Sequence, residues 1–271
     1  MLGAIAGDVI GSVHEFLGQK TKDFPLFVEE SRFTDDSVLS IAVADCLLTG
    51  SPYVEKFRAY AKTYPDRCYG MGFWRWVESG SRQPYNSWGN GAAMRVSPIA
   101  CAFETLEGVL KEAKVSAEVT HNHPEGVRGA QATATATFLA RKGKSKNNIR
   151  QTIEEQFGYD LSRTTDLIRQ SYSFNESCQQ TVPRPLLLFS IQSTMRTLSD
   201  WPFRLVATPT LWRALQGGSR VHSTAFRTTS RQGPWHCWIR NCDTVLRSPR
   251  DSNALTHIVE KIFIVFHPTC T

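Results

Sequence analysis

The sequence predicts an all-α domain. Apolar residues recur at three-to-four spacing in successive segments, glycine and proline fall where those segments end, and alternating strand patterns are scarce. Residues 36–49 place Val38, Ile41, Ala42 and Leu48 on a helical repeat that Gly50-Ser51-Pro52 stops. Residues 52–64 open with Pro52 at a first-turn position and carry Val54, Phe57, Tyr60 and Ala61 on one face. Residues 91–106 follow the same logic. In 124–142, Pro124-Glu125 opens a helix whose row of small side chains (Gly126, Gly129, Ala130, Ala132, Ala134, Ala136) lets a neighbouring backbone approach closely, as the centre of a tight bundle requires. Segments 147–157, 161–171 and 177–191 complete the set.

At 271 residues, 41% hydrophobic and 21% charged, the chain can bury a sizeable core, which argues against wholesale disorder. No apolar run approaches the ~20 residues that cross a bilayer, so no membrane association is expected. The apolar opening Met1 to Ala6 lacks a basic start and is cut short by Asp8, unlike a signal peptide. Seven cysteines, an odd number without a CxxC pair, support neither a disulfide framework nor a zinc ribbon. A cytoplasmic monomer is the expectation.

Charge divides the chain in two. Residues 1–193 hold 21 basic and 21 acidic residues, whereas 194–271 hold ten basic against four acidic, which is the whole of the +6. Nine of those ten cations are Arg, and four of the seven Trp lie there too. The expected organisation is therefore a helical core over 1–193 and an atypical C-terminal segment over 194–271. The basic excess comes with no recognition motif, so nucleic acid is not an expected partner.

Four connections between the helices carry unusual clusters: Gly7–Glu15, Phe33–Ser37, Ser87–Arg95 and Thr120–Gly126. Thr34-Asp35-Asp36 stands at a helix start, where Thr is a good cap and acids suit the helix dipole. The same hydroxyl and two carboxylates also offer oxygen ligands to a hard cation such as Mg²⁺ or Mn²⁺. His121 and His123 precede a helix-starting proline, so either can cap that helix or contact a ligand; two His one residue apart on a loop rarely share a metal. Glycines around Asn90 suit a backbone wrapped closely about a ligand, and equally an ordinary turn. Glu15, taken alone, reads as a solvated carboxylate.

Taken together, GAIAGDVIGSxxE, FTDDS, GNGAAMR, THNHPEGxxGA and CQQTVP, in this order from Leu2 to about Leu188, resemble the ADP-ribosylglycohydrolase family. The resemblance implies a compact orthogonal helical bundle with a cleft for two divalent cations, Mg²⁺ or Mn²⁺. It implies that Thr34, Asp35, Asp36 and Glu15 ligate metal, with Glu15, Asp35 and Asp36 serving catalysis and Glu15 activating water. Asn90, Gly91 and Met94 would line the ADP-ribose channel, and His121 and His123 would contact the distal ribose and diphosphate. The implied reaction is hydrolysis of the glycosidic bond between ADP-ribose and a protein side chain or small acceptor, releasing ADP-ribose. A non-catalytic ADP-ribose-binding relative is the alternative.

The family's third metal cluster, GGDxDT, is missing after Pro183. Codons that permit Arg204 to Ser219, RLVATPTLWRALQGGS, read two bases into each triplet also permit LGGDADTLACIAGGIA, which contains it. The expectation is a reading-frame shift between Pro183 and Met195, with residues beyond it translated out of frame; a genuinely divergent C-terminus of unusual composition is the alternative. Such a chain would lack the far side of the metal site and turn over little substrate. The run Ile262 to Phe266 would also make it prone to aggregate.

Overall fold

The computed structural model describes residues 2–13, 28–162, 175–184 and 186. Among the described residues there is no strand, only an isolated antiparallel bridge between Gly89 and Ser177. The all-α expectation holds.

Helix α1 (Leu2–Gly11) extends through residues expected to lie in the first connection. Helix α2 (Asp35–Thr49) begins at its Thr34 cap and ends at Gly50, whose φ of 69° is left-handed backbone that glycine adopts without Cβ strain. Pro52 caps α3 (Tyr53–Thr63) from just outside the helix. Helices α4 (Met71–Ser79), α5 (Ser97–Ala102) and α6 (Leu106–Glu118) follow. Then come α7 (Pro124–Arg141), α8 (Lys146–Phe157) and the short α9 (Cys178–Thr181). Helix α8 starts at Ser145, whose hydroxyl accepts the Asn148 amide at 3.2 Å.

The segment expected as one helix over 91–106 is two pieces: a 3₁₀ turn, Asn90–Ala92, and then α5. Pro98 explains the break. It has no amide to give the Met94 carbonyl four residues back, so it is tolerated only in a first turn, where it now stands. The Met94 carbonyl accepts the Ser40 hydroxyl of α2 at 3.4 Å instead. Phe103 is extended (φ −104°, ψ 145°) and ends α5. Helices α4 and α6 were not among the expected segments. Leu106, Val109, Leu110, Ala113 and Ala117 give α6 a helical repeat, but it follows directly on a misjudged segment. Most of the expected helix over 161–171 lies outside the described residues, while Leu161 and Ser162 themselves are not helical; of 177–191, only the first part is described.

Helix α7 is the central helix that its small residues implied. It packs against α5, α6, α8, α9 and the 3₁₀ turn. A Cβ on Gly129 would lie 2.5 Å from Cys178 Sγ, and one on Gly126 would lie 2.8 Å from the Ser87 carbonyl oxygen. Both contacts need a hydrogen where any other residue carries carbon. Around α7 the core divides between a large cluster that includes Val38, Ile41, Phe57, Ile99 and Val109, and a smaller one built on Ile149, Ile153, Leu161 and Cys178. No helix among the described residues is long and apolar enough to cross a membrane.

Candidate functional site

Three connections are bonded to one another or to each other's helices. The first is the start of α2. Thr34 is buried and caps the helix, its hydroxyl oxygen accepting the Asp36 amide at 3.4 Å. Its own proton goes to Asp8 Oδ1 at 2.5 Å, and its amide donates to Asp8 Oδ2 at 2.8 Å. Ser37 adds its amide at 3.2 Å and its hydroxyl at 2.5 Å to the same Oδ2. Burial, the dominant cause, leaves the Asp8 carboxyl above its ordinary range, although the four donors from Thr34 and Ser37 oppose that shift. Asp8 is not among the site residues expected from the sequence. Its signal was available: one acid inside an apolar helix must be paired or exposed.

Asp35 is half-buried and Asp36 buried, so the two adjacent carboxylates sit at the helix N-terminus where backbone amides favour negative charge. The Asp35 amide donates to the Arg67 carbonyl at 2.7 Å, which ties α2 to the loop before α4. Thr34, Asp35 and Asp36 supply oxygen donors of the type a hard cation takes. Among the described residues no group of three or more His, Cys, Asp or Glu is arranged to hold a metal, so this wall alone is not a complete ligand set. Glu15, expected as a fourth ligand and as the base, lies outside the described residues.

The second connection runs from Tyr85 to Arg95. Asn86 has φ 55°, and its amide donates to Asn122 Oδ1 at 2.9 Å. The Asn90 amide donates to the Glu176 carbonyl at 2.8 Å, and the Cys178 amide donates to the Trp88 carbonyl at 3.1 Å. Cys178 Sγ reaches the Gly89 carbonyl at 3.1 Å. The CQQTVP motif thus props the glycine-rich loop from behind. Asn90 and Gly91 are half-buried, Met94 is buried, and Trp88 stands out at 51% exposure.

The third connection holds both histidines. His123 is the cap of α7: its Nδ1 accepts the Glu125 amide at 3.1 Å, the capping alternative read from the sequence. His121 is buried beneath the glycine loop, its ring edge-on to Tyr85 at 5.9 Å between centroids. Its Nδ1 is 2.7 Å from Thr120 Oγ1. Burial holds its pKa well below 6.5, with the charge of Arg95 adding to the effect. A Cβ on Gly91 would lie 2.9 Å from His121 Nε2, so glycine is required there by the imidazole beneath it.

Arg95 joins the connections. Its side chain is fully buried, and Nη2 donates to the Ser116 carbonyl and to Thr120 Oγ1, both at 2.9 Å. The guanidinium lies over the Phe57 ring at 4.3 Å. Burial lowers its pKa to about 10, which leaves it cationic at neutral pH. The Asp35 carboxylate is near enough to push the pKa of Arg95 upward and to do the same at Tyr85 and Tyr69. Asp35, Tyr85, Arg95 and His121 therefore share one electrostatic neighbourhood. Neither Arg95 nor Tyr85 had been singled out, although a lone cation in the apolar run GAAMRVSPIA was the signal.

Known proteins share this arrangement of sequence and fold. A cow ADP-ribosylhydrolase ARH3 is 29% identical over 59% of this chain and 53% of its own. The human ARH3 is 30% identical over 54% and 50%, and the zebrafish ARH3 31% over 53% and 47%. The chain spans about half the length of the curated relatives it matches. A solved structure titled "ADP-ribosylglycohydrolase-related protein complex" superposes with a TM-score of 0.60 at 19% identity, covering 100% of this chain and 96% of that one, which is a likeness of fold. Residues 1–230 match the model of the family described as ADP-ribosylglycohydrolase, and the chain belongs to that family.

Proposed function

We propose that this chain binds the ADP-ribose of an ADP-ribosylated protein or small conjugate, and that its site is built to hydrolyse the glycosidic bond to the acceptor. The single observation that supports this best is the match of residues 1–230 to the ADP-ribosylglycohydrolase family. Helix α2 is bonded through Ser40 to the Met94 carbonyl of the loop that the family resemblance assigns to ADP-ribose.

In the reaction, a water oxygen bonds to the anomeric carbon as the bond to the acceptor breaks, and the acceptor leaves with a proton. The sugar passes through an oxocarbenium-like state that nearby carboxylates stabilise, the role of Asp35 and Asp36. Glu15 would take the proton from the attacking water. Gly89, Asn90 and Gly91 give a backbone close enough to follow the diphosphate, and His121 gives a neutral imidazole. Thr34, Asp35, Asp36 and Glu15 would hold part of a divalent-cation site, and Mg²⁺ or Mn²⁺ would supply orientation of ribose hydroxyls and charge neutralisation.

The missing GGDxDT cluster favours a second reading, in which this chain binds ADP-ribose with little turnover because residues beyond 193 are translated out of frame. Residues 187–271 lie outside the described structure. One experiment separates the two readings: Mg²⁺ or Mn²⁺ is titrated against the full chain while ADP-ribose release from an ADP-ribosylated protein is followed, with ADP-ribose binding measured in parallel. Cation-dependent release establishes the hydrolase, binding without release establishes the second reading, and neither overturns both. Sequencing the gene across residues 183–195 decides the frame. A clean read with no missing or extra base refutes the shift.

A further inference from the structure

We propose that Arg95 and Thr120 are positioning residues that fix His121 as its Nε2–H tautomer, holding that N–H under the Gly89–Gly91 loop as a donor to an oxygen of the bound ADP-ribose. The choice of ligand rests on the function proposed above; the tautomer does not.

The argument is one of proton inventory. A guanidinium only donates, so the 2.9 Å contact from Arg95 Nη2 occupies a lone pair of Thr120 Oγ1. Thr120 is fully buried, with no solvent to take its hydroxyl proton. His121 Nδ1 lies 2.7 Å away. Donation from Thr120 to Nδ1 satisfies both groups. The reverse, with Nδ1–H donating to Thr120, would leave a buried hydroxyl proton without an acceptor. A neutral imidazole carries a single N–H, which then sits on Nε2.

The surroundings hold the ring in place. Arg95 is itself anchored by the Ser116 carbonyl and the Phe57 ring, and its Nε and Nη1 find no acceptor among the described residues. Thr120 is therefore the only side chain among them to which this guanidinium donates. Gly126 leaves room behind the imidazole, since a Cβ there would meet His121 Cβ at 2.9 Å. In front, Nε2 lies 2.9 Å from the position of a Cβ on Gly91 and 3.8 Å from that on Gly89. Glycine at 89 and 91 keeps side chains from covering that nitrogen, and a diphosphate or ribose presents acceptors for its N–H.

The test uses the full chain labelled with ¹⁵N-histidine. Long-range ¹⁵N–¹H correlations report which ring nitrogen carries the proton, and the His121 signals are those lost in His121→Gln. The Nε2–H form is expected in the unmodified protein. Thr120→Val should release that fixed tautomer and weaken ADP-ribose binding by about tenfold. Thr120→Ser, which keeps the hydroxyl, should restore both. An Nδ1–H or mixed tautomer in the unmodified protein overturns the proposal whether or not the valine variant folds, and so does a Thr120→Val variant that binds as tightly as the parent. If the unmodified chain shows Nε2–H yet does not bind ADP-ribose, the relay stands and the proposed function fails.

Discussion

Thr34 gives both its amide and its hydroxyl to Asp8, at 2.8 and 2.5 Å. A carboxylate on α1 thereby holds the cap of α2, the residue from which Asp35 and Asp36 follow. With Ser37 bonded to the same carboxylate, four donors converge on one buried side chain. Asp8→Asn keeps the shape but turns an NH₂ group toward donors. We expect it to lose about 2–4 kcal/mol of stability, read from urea denaturation, because buried donors are left facing a donor. A loss under about 0.5 kcal/mol would mean that the cap stands without Asp8.

Gly126 is squeezed between two connections. A methyl there would lie 2.8 Å from the Ser87 carbonyl and 3.0 Å from that of His121, and neither backbone can step aside cheaply. Gly126→Ala should cost about 2–3 kcal/mol although alanine is the better helix former. Thermal unfolding of this variant beside the parent decides it; an unchanged or raised midpoint contradicts the packing.

Much of this was legible in the sequence, because periodicity reports burial directly. Helices α2, α7 and α8 agree with expectation to within a residue or two: α2 runs from its Thr34 cap to Gly50, α8 from Ser145 to Gly158, and α7 is marked at its start by His123 and Pro124. The region from 91 to 118 was misread, since Pro98 inside an apolar run looks the same whether it breaks a helix or opens one. Motif order brought Thr34, Asn90 and His121 to attention. The roles of Asp8, Arg95 and Thr120, which lie in the same clusters, were not legible, because a buried polar group is identified by its partners, and Asp8–Thr34 and Arg95–Thr120 are about 25 residues apart in sequence.

Trp88 presents a half-exposed indole beside Gly89 and Asn90, and its carbonyl is fixed by the Cys178 amide. An exposed aromatic face beside such a loop is a stacking surface for a base. Trp88→Ala should weaken ADP-ribose binding by about 1–3 kcal/mol while leaving the melting temperature nearly unchanged. Calorimetric titration compares the two proteins. Equal affinities would show that the adenine lies elsewhere.

His121 makes stability depend on pH. An unfolded imidazole takes its proton near 6.5, while burial and the charge of Arg95 hold the folded value well below that. Above pH 6.5 both states are neutral and this residue adds no pH dependence. Below it the unfolded chain binds a proton that the folded chain refuses, so stability falls as pH falls, by at most about 1.4 kcal/mol per unit, until the folded pKa is reached. Between pH 6.5 and 5.5 the parent should lose about 1 kcal/mol more than His121→Gln, a comparison in which the titration of every other group cancels to first order. Urea denaturation at the two pH values measures it. Parallel losses in parent and variant would mean that His121 titrates as an ordinary exposed histidine and is not buried as described.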